Sequence, residues 1–199
     1  MGEFDAITRH DDAEPDDDIW VVGPPPIQPI LIVESDPAWP SVFEELAGRI
    51  RAALGDRVLD LQHVGSTSVP GLAAKPIVDI DLTVADSSDE SAYIEPLESI
   101  GYEFRIREPA WHQHRCLFLA DPKSNLHVWS PGSPEAIRHR MFRDWLREHP
   151  HDLALYADAK RRSAADSNEA AEEVMAYNLR KQPVIRDILD RMFHAHGML

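Results

Sequence analysis

The sequence predicts an α/β (α+β) protein: a mixed β-sheet flanked by helices, with a helical subdomain at its carboxyl-terminal end. Three observations predict it. Short apolar runs at 58–64, 77–84, 102–107, 114–120 and 125–129 read as strands. Phe43, Leu46, Ile50 and Leu54 repeat at helical spacing between two of those runs. From Ser133 onward the strand pattern stops, and Ile137, Met141, Trp145, Leu153, Tyr156 and Ala159 mark helices instead.

Residues 1–18 carry Asp11, Asp12, Glu14, Asp16, Asp17 and Asp18 among few apolar residues, the composition of a disordered acidic tail. Residues 24–29, Pro-Pro-Pro-Ile-Gln-Pro, read as a stiff linker. Ile30 to Val33 is expected as a first strand. Asp36 or Ser41 caps the first helix, beside Pro37 or Pro40, and Gly55 ends it. A second helix is expected from Asp86-Ser87-Ser88-Asp89 through Ile100, closed by Gly101. Two more break near Pro150, and a last one runs from Asn168 to about Phe193, where Pro183 should kink or split it. The expected organisation is therefore a tail and linker over 1–29, a sheet domain over 30–132 and a helical subdomain over 133–199.

The chain has 199 residues, 43% of them hydrophobic, which suits one domain with a real core. Its formal net charge of −15 opposes non-specific binding to nucleic acid or to an anionic membrane. Arginines nevertheless cluster between 138 and 147, so a local basic pocket is open to it. Cys116 is the one cysteine and lies in an apolar run, which reads as core and not as a thiolate zinc site. No apolar stretch is long enough to span a membrane, and the acidic amino-terminal segment is unlike a secretory signal. A cytoplasmic protein is expected. Composition does not set its oligomeric state.

The stretch that organises the chain is 63–84, HVGSTSVPGLAAKPIVDIDLTV. It reads as a strand end, a loop rich in Gly, Pro and Ser, and a second strand. Residues two apart on a strand share a face, so Asp79 and Asp81 project together while Ile80 and Leu82 point the other way. Adjacent carboxylates repel, and burial would raise at least one pKa. A hard divalent cation offsets both effects, because Mg²⁺ takes one or two carboxylates plus water and phosphate oxygens. Gly65, Ser66, Thr67 and Ser68 can aim N–H and hydroxyl groups at a phosphate, and Lys75 stands ahead of the strand as a counter-charge. The competing reading is a solvated strand face without metal.

The run HVGSTSVPGLAAKPIVDI resembles the signature of the GrpB-like family, a branch of the polymerase-β-like nucleotidyltransferase superfamily. Asp36-Pro37-x-Trp39-x-x-x-Phe43, Leu126-His127-Val128, Phe142-Arg143-Asp144-Trp145-Leu146-Arg147 with His149-Pro150, Tyr156-x-x-x-Lys160 and Tyr177-x-x-x-Lys181 resemble its later landmarks in order. The resemblance covers about residues 30 to 190. It implies a nucleotidyltransferase-like sheet and metal-dependent nucleotidyl transfer from a nucleoside triphosphate to an unknown small-molecule or protein acceptor. Carried over by position, Gly65 and Ser66 grip phosphates while Asp79 and Asp81 hold Mg²⁺ or Mn²⁺. The superfamily's third carboxylate should stand on a later strand, but that strand reads Asn125-Leu126-His127-Val128-Trp129. His127 is the expected substitute, as metal ligand or proton acceptor; a core histidine bonded to backbone weighs equally. The missing carboxylate also supports an alternative: a binding module for nucleotide or coenzyme A without transfer chemistry. Domains of this family occur fused behind dephospho-coenzyme A kinase in some bacteria, which resembles an accessory role.

The remaining candidates surround this core. Arg115 is expected to neutralise phosphate, or to pair with Asp79 or Asp81 when metal is absent. Arg143 and Arg147 share a helix face as an anion clamp, or as surface ion-pair partners of Asp144 and Glu148. Tyr156 with Lys160, and Tyr177 with Lys181, are i, i+4 pairs that could line the cleft between the two parts, or simply pack. His112 and His114 share a strand face but read as surface histidines sooner than as a metal pair.

Overall fold

The computed structural model describes residues 4–10 and 19–199. Five strands form one mixed sheet: β1 (Asp60–Val64), β2 (Val78–Thr83), β3 (Glu103–Glu108), β4 (His114–Ala120) and β5 (Lys123–Trp129). Their order is β1-β2-β5-β4-β3. The β2–β5 pair is parallel and the other three are antiparallel. Among the described residues six α-helices accompany them: α1 (Asp5–Thr8), α2 (Trp39–Leu54), α3 (Ile94–Glu98), α4 (Pro134–Glu148), α5 (Pro150–Glu169) and α6 (Val174–Ala195). The protein is thus the mixed α/β fold that its sequence predicts.

Period-two alternation divides the sheet into an apolar and a polar face. Ile80, Leu82, Leu117, Leu126 and Val128 point to one side and join Leu46, Ile50 and Leu54 of α2 and Leu97 of α3 in the main core. The opposite side carries Asp79, Asp81, Asn125 and His127, which are covered from the carboxyl-terminal helices. The loop between β1 and β2 ties the two parts together, because Val69 and Leu72 pack with Leu146, Tyr156 and Ile188.

Several elements differ from expectation. Ile30 to Val33 does not form a strand; Val33 alone bridges Ala74, while Asn168 holds both backbone groups of Ile30. The helix expected over 86–100 is a single 3₁₀ turn at Glu90–Ala92 followed by the short α3, as the Asp86 and Asp89 side chains bond locally to Ser88 and Ser91. The last helix starts at Val174 because α5 extends through Glu169. Pro183 lies within α6 without splitting it; the carbonyl it leaves unpaired is that of Leu179, an exposed residue.

Part of the expected disordered tail is also placed. In residues 4–10, Ile7 packs on Leu189, Met192 and Phe193, His10 Nε2 lies 2.7 Å from Asp190 Oδ1, and Arg138 donates to the Arg9 carbonyl at 2.8 Å. The acidic run at 11–18 lies outside the described residues. Further on, Trp20 bridges Ile106 at the β3 edge.

Gly48 sits inside α2 with open space around its missing Cβ. Gly48→Ala should raise stability by about 0.5–1 kcal/mol, since only the helix penalty of glycine is removed. Urea denaturation would check this; a lowered midpoint would contradict the placement.

Candidate functional site

The polar face is built by register. Asp79 pairs Asn125 and Asp81 pairs His127 across the parallel β2–β5 ladder, and Cys116 of β4 pairs His127 from the other side. Strand alternation then puts Asp79 and Asp81, Asn125 with His127 and Trp129, and His114 with Cys116 on one surface.

Every acid on that surface has a named partner. Asn125 Nδ2 donates to Asp79 Oδ1 at 2.8 Å, and His127 Nε2 stands 3.9 Å from the same oxygen. Asp81 is 3% exposed; its Oδ1 accepts from Trp129 Nε1 at 2.9 Å, and His139 Nδ1 lies 3.1 and 3.0 Å from its two oxygens. Burial pushes both carboxyls up. His127 and Asn125 at Asp79, and His139, His127 and Trp129 at Asp81, more than offset it, so both stay below the ordinary carboxylate range. Behind His127 a chain continues: its Nδ1 is 3.0 Å from His114 Nε2, and His114 Nδ1 is 2.6 Å from Glu108 Oε2. His114 is buried and its pKa lies well below the ordinary value, first because of burial and then because of the neighbouring His127. His127, opposed by burial but favoured by Cys116 and Asp79, lies well above it.

The loop after β1 approaches closely. Gly65 has φ 65° and ψ −168°, a region open essentially to glycine alone. A Cβ there would sit 2.3 Å from Asp79 Oδ2 and 2.9 Å from Asp79 Cβ. Thr67 faces inward: its hydroxyl donates to the Ile77 carbonyl and therefore accepts from His63 Nε2 at 3.0 Å. Thr67 thus holds the loop and not a phosphate. Arg143 donates to the His63 carbonyl and Gln62 Oε1, and forks onto Asp144; Arg147 donates twice to the Ser68 carbonyl. The two arginines clamp the loop backbone, and Arg143 also reaches the cavity described next.

A cavity of about 250 Å³ opens between this loop and α4, α5 and α6, lined in part by Gly65, Ser66, His139, Phe142, Arg143 and Tyr156. The Tyr156 hydroxyl faces Ser66 across this cavity. Three lysines gather on the Asp79 side. Lys160 Nζ lies 5.2 Å from the Tyr156 ring centre, while Lys75 and Lys181 lie 5.2 and 4.6 Å from that of Tyr177. Among the described residues none of the three makes an ion pair within 4 Å. Burial, together with mutual repulsion, brings Lys160 down to about 6 and Lys75 to about 8; burial brings Lys181 to about 8. Asp79 opposes all three shifts. Among the described residues the buried Tyr177 hydroxyl has no hydrogen-bond partner.

The structure therefore brings together Gly65, Ser66, Lys75, Asp79, Asp81, His127, Tyr156, Lys160 and Lys181. Arg115 is not with them. It alternates to the apolar side of β4, where its Nε donates to Glu90 Oε1 at 2.6 Å. His112 and His114 do not share a strand either: His112 lies in the turn before β4 with φ 53°, and His114 is buried, not a surface histidine. His127 bonds to another imidazole and not to backbone. Sequence reasoning missed His139, Asn125, Trp129 and Glu108. The first three had a signal. Asn125 and Trp129 flank His127 at i±2 on the strand that neighbours the aspartates, and His139 follows Glu135 by one helical turn.

Two substitutions test this geometry. Gly65→Ala should cost at least about 1–2 kcal/mol from its backbone conformation alone, and should displace Asp79. Urea denaturation reads the first effect and a crystal structure the second; a neutral variant would contradict the loop placement. His63 stacks on Phe43 at 4.9 Å, and burial holds its pKa down at about 4 against 6.5 when unfolded. Between those values the unfolded chain takes up a proton that the folded chain refuses. Stability should therefore fall as pH drops from 6.5 towards 4, by up to about 1.4 kcal/mol per pH unit. Urea midpoints across that range should slope less in His63→Gln; an equal slope would show that His63 protonates without hindrance.

Comparison with known proteins places the chain in a wider group. The family model described as GrpB protein matches residues 29–191. A UPF0157 protein of Halalkalibacterium halodurans is 46% identical over 162 residues, covering 81% of this chain and 82% of that protein. A UPF0157 protein of Streptomyces coelicolor is 41% identical over 141 residues, covering 71% and 74%. A dephospho-CoA kinase of Mycolicibacterium paratuberculosis is 31% identical over 191 residues; the match takes in 82% of this chain but only 46% of that kinase. Among solved structures, the conserved protein GrpB from Enterococcus faecalis superposes with a TM-score of 0.69 at 28% identity, covering 82% of this chain and 99% of that one.

Proposed function

The chain belongs to the GrpB family, and from that premise we propose that it binds a nucleoside triphosphate and transfers its nucleotidyl group to an acceptor. The observation that carries the reading is the gathering of Lys75, Lys160 and Lys181 beside Asp79 and Asp81. In a chain of net charge −15, one buried lysine, Lys160, and two half-buried ones, Lys75 and Lys181, all without ion pairs, are costly unless an anion meets them. A polyphosphate supplies that anion. The Gly65–Ser66 backbone and the Tyr177 hydroxyl supply uncharged donors for its oxygens.

The residues present fit Mg²⁺ or Mn²⁺ by donor type. Asp79 and Asp81 are both held ionised, on one face, next to the phosphate-binding lysines. They would hold the ion with His127 beside them, and the ion would neutralise phosphate charge and orient in-line attack. The chain's own groups do the rest. The lysines grip the phosphates, Tyr156 and Phe142 wall the cavity, and His139 balances the charge of Asp81. In the transfer itself an acceptor oxygen or nitrogen bonds to the α-phosphorus, the bond to the departing pyrophosphate breaks, and the acceptor's proton passes to solvent.

A second reading has its own observation. The position on β5 opposite Asp79 is Asn125, an amide that donates to the aspartate and cannot take an acceptor's proton. That favours a module that binds nucleotide or coenzyme A without transferring anything. The relatives named dephospho-CoA kinase are compatible with such an accessory role.

Calorimetric titration with ATP, GTP, CTP, UTP and coenzyme A, each with and without Mg²⁺, separates the two. Transfer predicts Mg²⁺-dependent triphosphate binding that weakens about 10-fold or more in Lys160→Met, the loss of one charge-assisted phosphate contact. It further predicts pyrophosphate release with some acceptor, abolished in Asp79→Asn and Asp81→Asn with the fold intact. Binding that ignores Mg²⁺ and both aspartates would favour the binding module. No binding of any of these ligands would remove both readings.

A further inference from the structure

We propose that His114, Cys116 and His127 form a binding site for one borderline-soft divalent cation, zinc or an ion of similar chemistry. The site adjoins the carboxylate pair through His127, whose other nitrogen faces Asp79, but its ligand set is different. It does not rest on the nucleotide reading, which uses neither His114 nor Cys116.

The strand register makes the site. His114 and Cys116 are two apart on β4 and share a face, and Cys116 lies directly across the ladder from His127. One ligand atom from each of the three, two imidazole nitrogens and the thiol sulfur, all lie within 4.8 Å of one another. The two facing nitrogens, His114 Nε2 and His127 Nδ1, are 3.0 Å apart. Two nitrogens bound to one tetrahedral zinc at 2.0–2.1 Å stand roughly 3.3 Å apart, so the rings need to open by only a few tenths of an ångström.

The outward nitrogens supply an independent observation. Glu108 Oε2 is 2.6 Å from His114 Nδ1, and Asp79 Oδ1 is 3.9 Å from His127 Nε2. Each imidazole therefore turns one nitrogen towards Cys116 and presents the other to a carboxylate. A metal-bound histidine is oriented in this way by the acid behind it. The Trp129 ring stacks on His114 at 4.4 Å and Trp111 meets it edge-on at 5.2 Å, which fixes the ring plane. The Cys116 sulfur is buried; its thiol has the Leu117 carbonyl at 3.9 Å, and its other interaction is with His127, a partner in the same proposed site.

Thiolate and imidazole select zinc over magnesium, which prefers oxygen. Three protein donors leave the fourth position of a tetrahedral ion to water or an added ligand. Binding balances by release of two protons, one from the Cys116 thiol and one from the hydrogen bond between the two imidazoles.

Cobalt(II) reports such a site directly. The full chain, stripped with chelator, is titrated with Co²⁺ and then with Zn²⁺. One equivalent of Co²⁺ should give tetrahedral visible bands and a sulfur-to-cobalt charge-transfer band, both erased by one equivalent of Zn²⁺. Cys116→Ala should lose the charge-transfer band. Glu108→Gln should keep it while binding about 10- to 100-fold more weakly. Should Cys116→Ala misfold by far-ultraviolet circular dichroism, Cys116→Ser and His114→Gln take its place, with the same losses expected. Absence of the charge-transfer band in the wild type overturns the proposal. So does a cobalt spectrum that the Cys116 and His114 variants leave unchanged, which would place the ion at Asp79 and Asp81 instead.

Discussion

The parallel pairing of β2 with β5 is the constraint on which the rest of this structure depends. It sets Asp79 against Asn125 and Asp81 against His127. Without those neighbours two adjacent carboxylates would be stranded on a covered sheet face, where burial drives them towards protonation. Asn125, Trp129, His127 and His139 supply the hydrogen bonds and positive charge that keep both ionised. The cost of burying the acids is met by the strand that lies beside them, together with one helix of the carboxyl-terminal part. The polar site and the sheet topology therefore have the same cause.

The loop between β1 and β2 is held from three directions. Glycine at 65 lets its backbone come within touching distance of Asp79. Val69 and Leu72 sink into the helical part. Arg143 and Arg147 of α4 hold its carbonyls at His63 and Ser68. A segment rich in Gly, Pro and Ser would otherwise be loose; here its N–H groups are held in place ahead of any ligand. Preorganisation of this kind lowers the ordering cost of binding a phosphate. It also explains why an arginine pair that reads as an anion clamp serves mainly the protein's own backbone.

The sheet and the Asp79–Asp81 face were legible in the sequence because alternation is a local property. Ile80 and Leu82 between the aspartates are enough to say which way each side chain points. Lys160 and Lys181 were legible as i, i+4 partners of tyrosines on helices, and Lys75 as a counter-charge ahead of β2. What could not be read was anything set by register between distant strands. Cys116 reads as core by composition, and it is buried, but its neighbours His114 and His127 follow only from which residue of β4 lies opposite which residue of β5. Arg115 went astray for the same reason in reverse. It is one residue out of phase with that face, and its partner Glu90 comes from a turn 25 positions away. The 3₁₀ turn that carries Glu90 was hidden as well, because Asp86 and Asp89 look like helix caps while their side chains close local turns.

The charge distribution shapes how such a site would work. A net charge of −15 repels a polyanion at long range, yet at physiological salt that repulsion fades beyond about 8 Å. Inside that distance the local groups decide, with Lys75, Lys160 and Lys181 set against Asp79 and Asp81. Lys160, with its pKa brought down to about 6 mainly by burial, is largely uncharged near neutral pH until an anion arrives to favour the proton. Each further negative charge on the ligand then strengthens the group that holds it. A site arranged this way would discriminate by ligand charge more steeply than three permanently charged lysines, which is the behaviour that the proposed polyphosphate ligand requires.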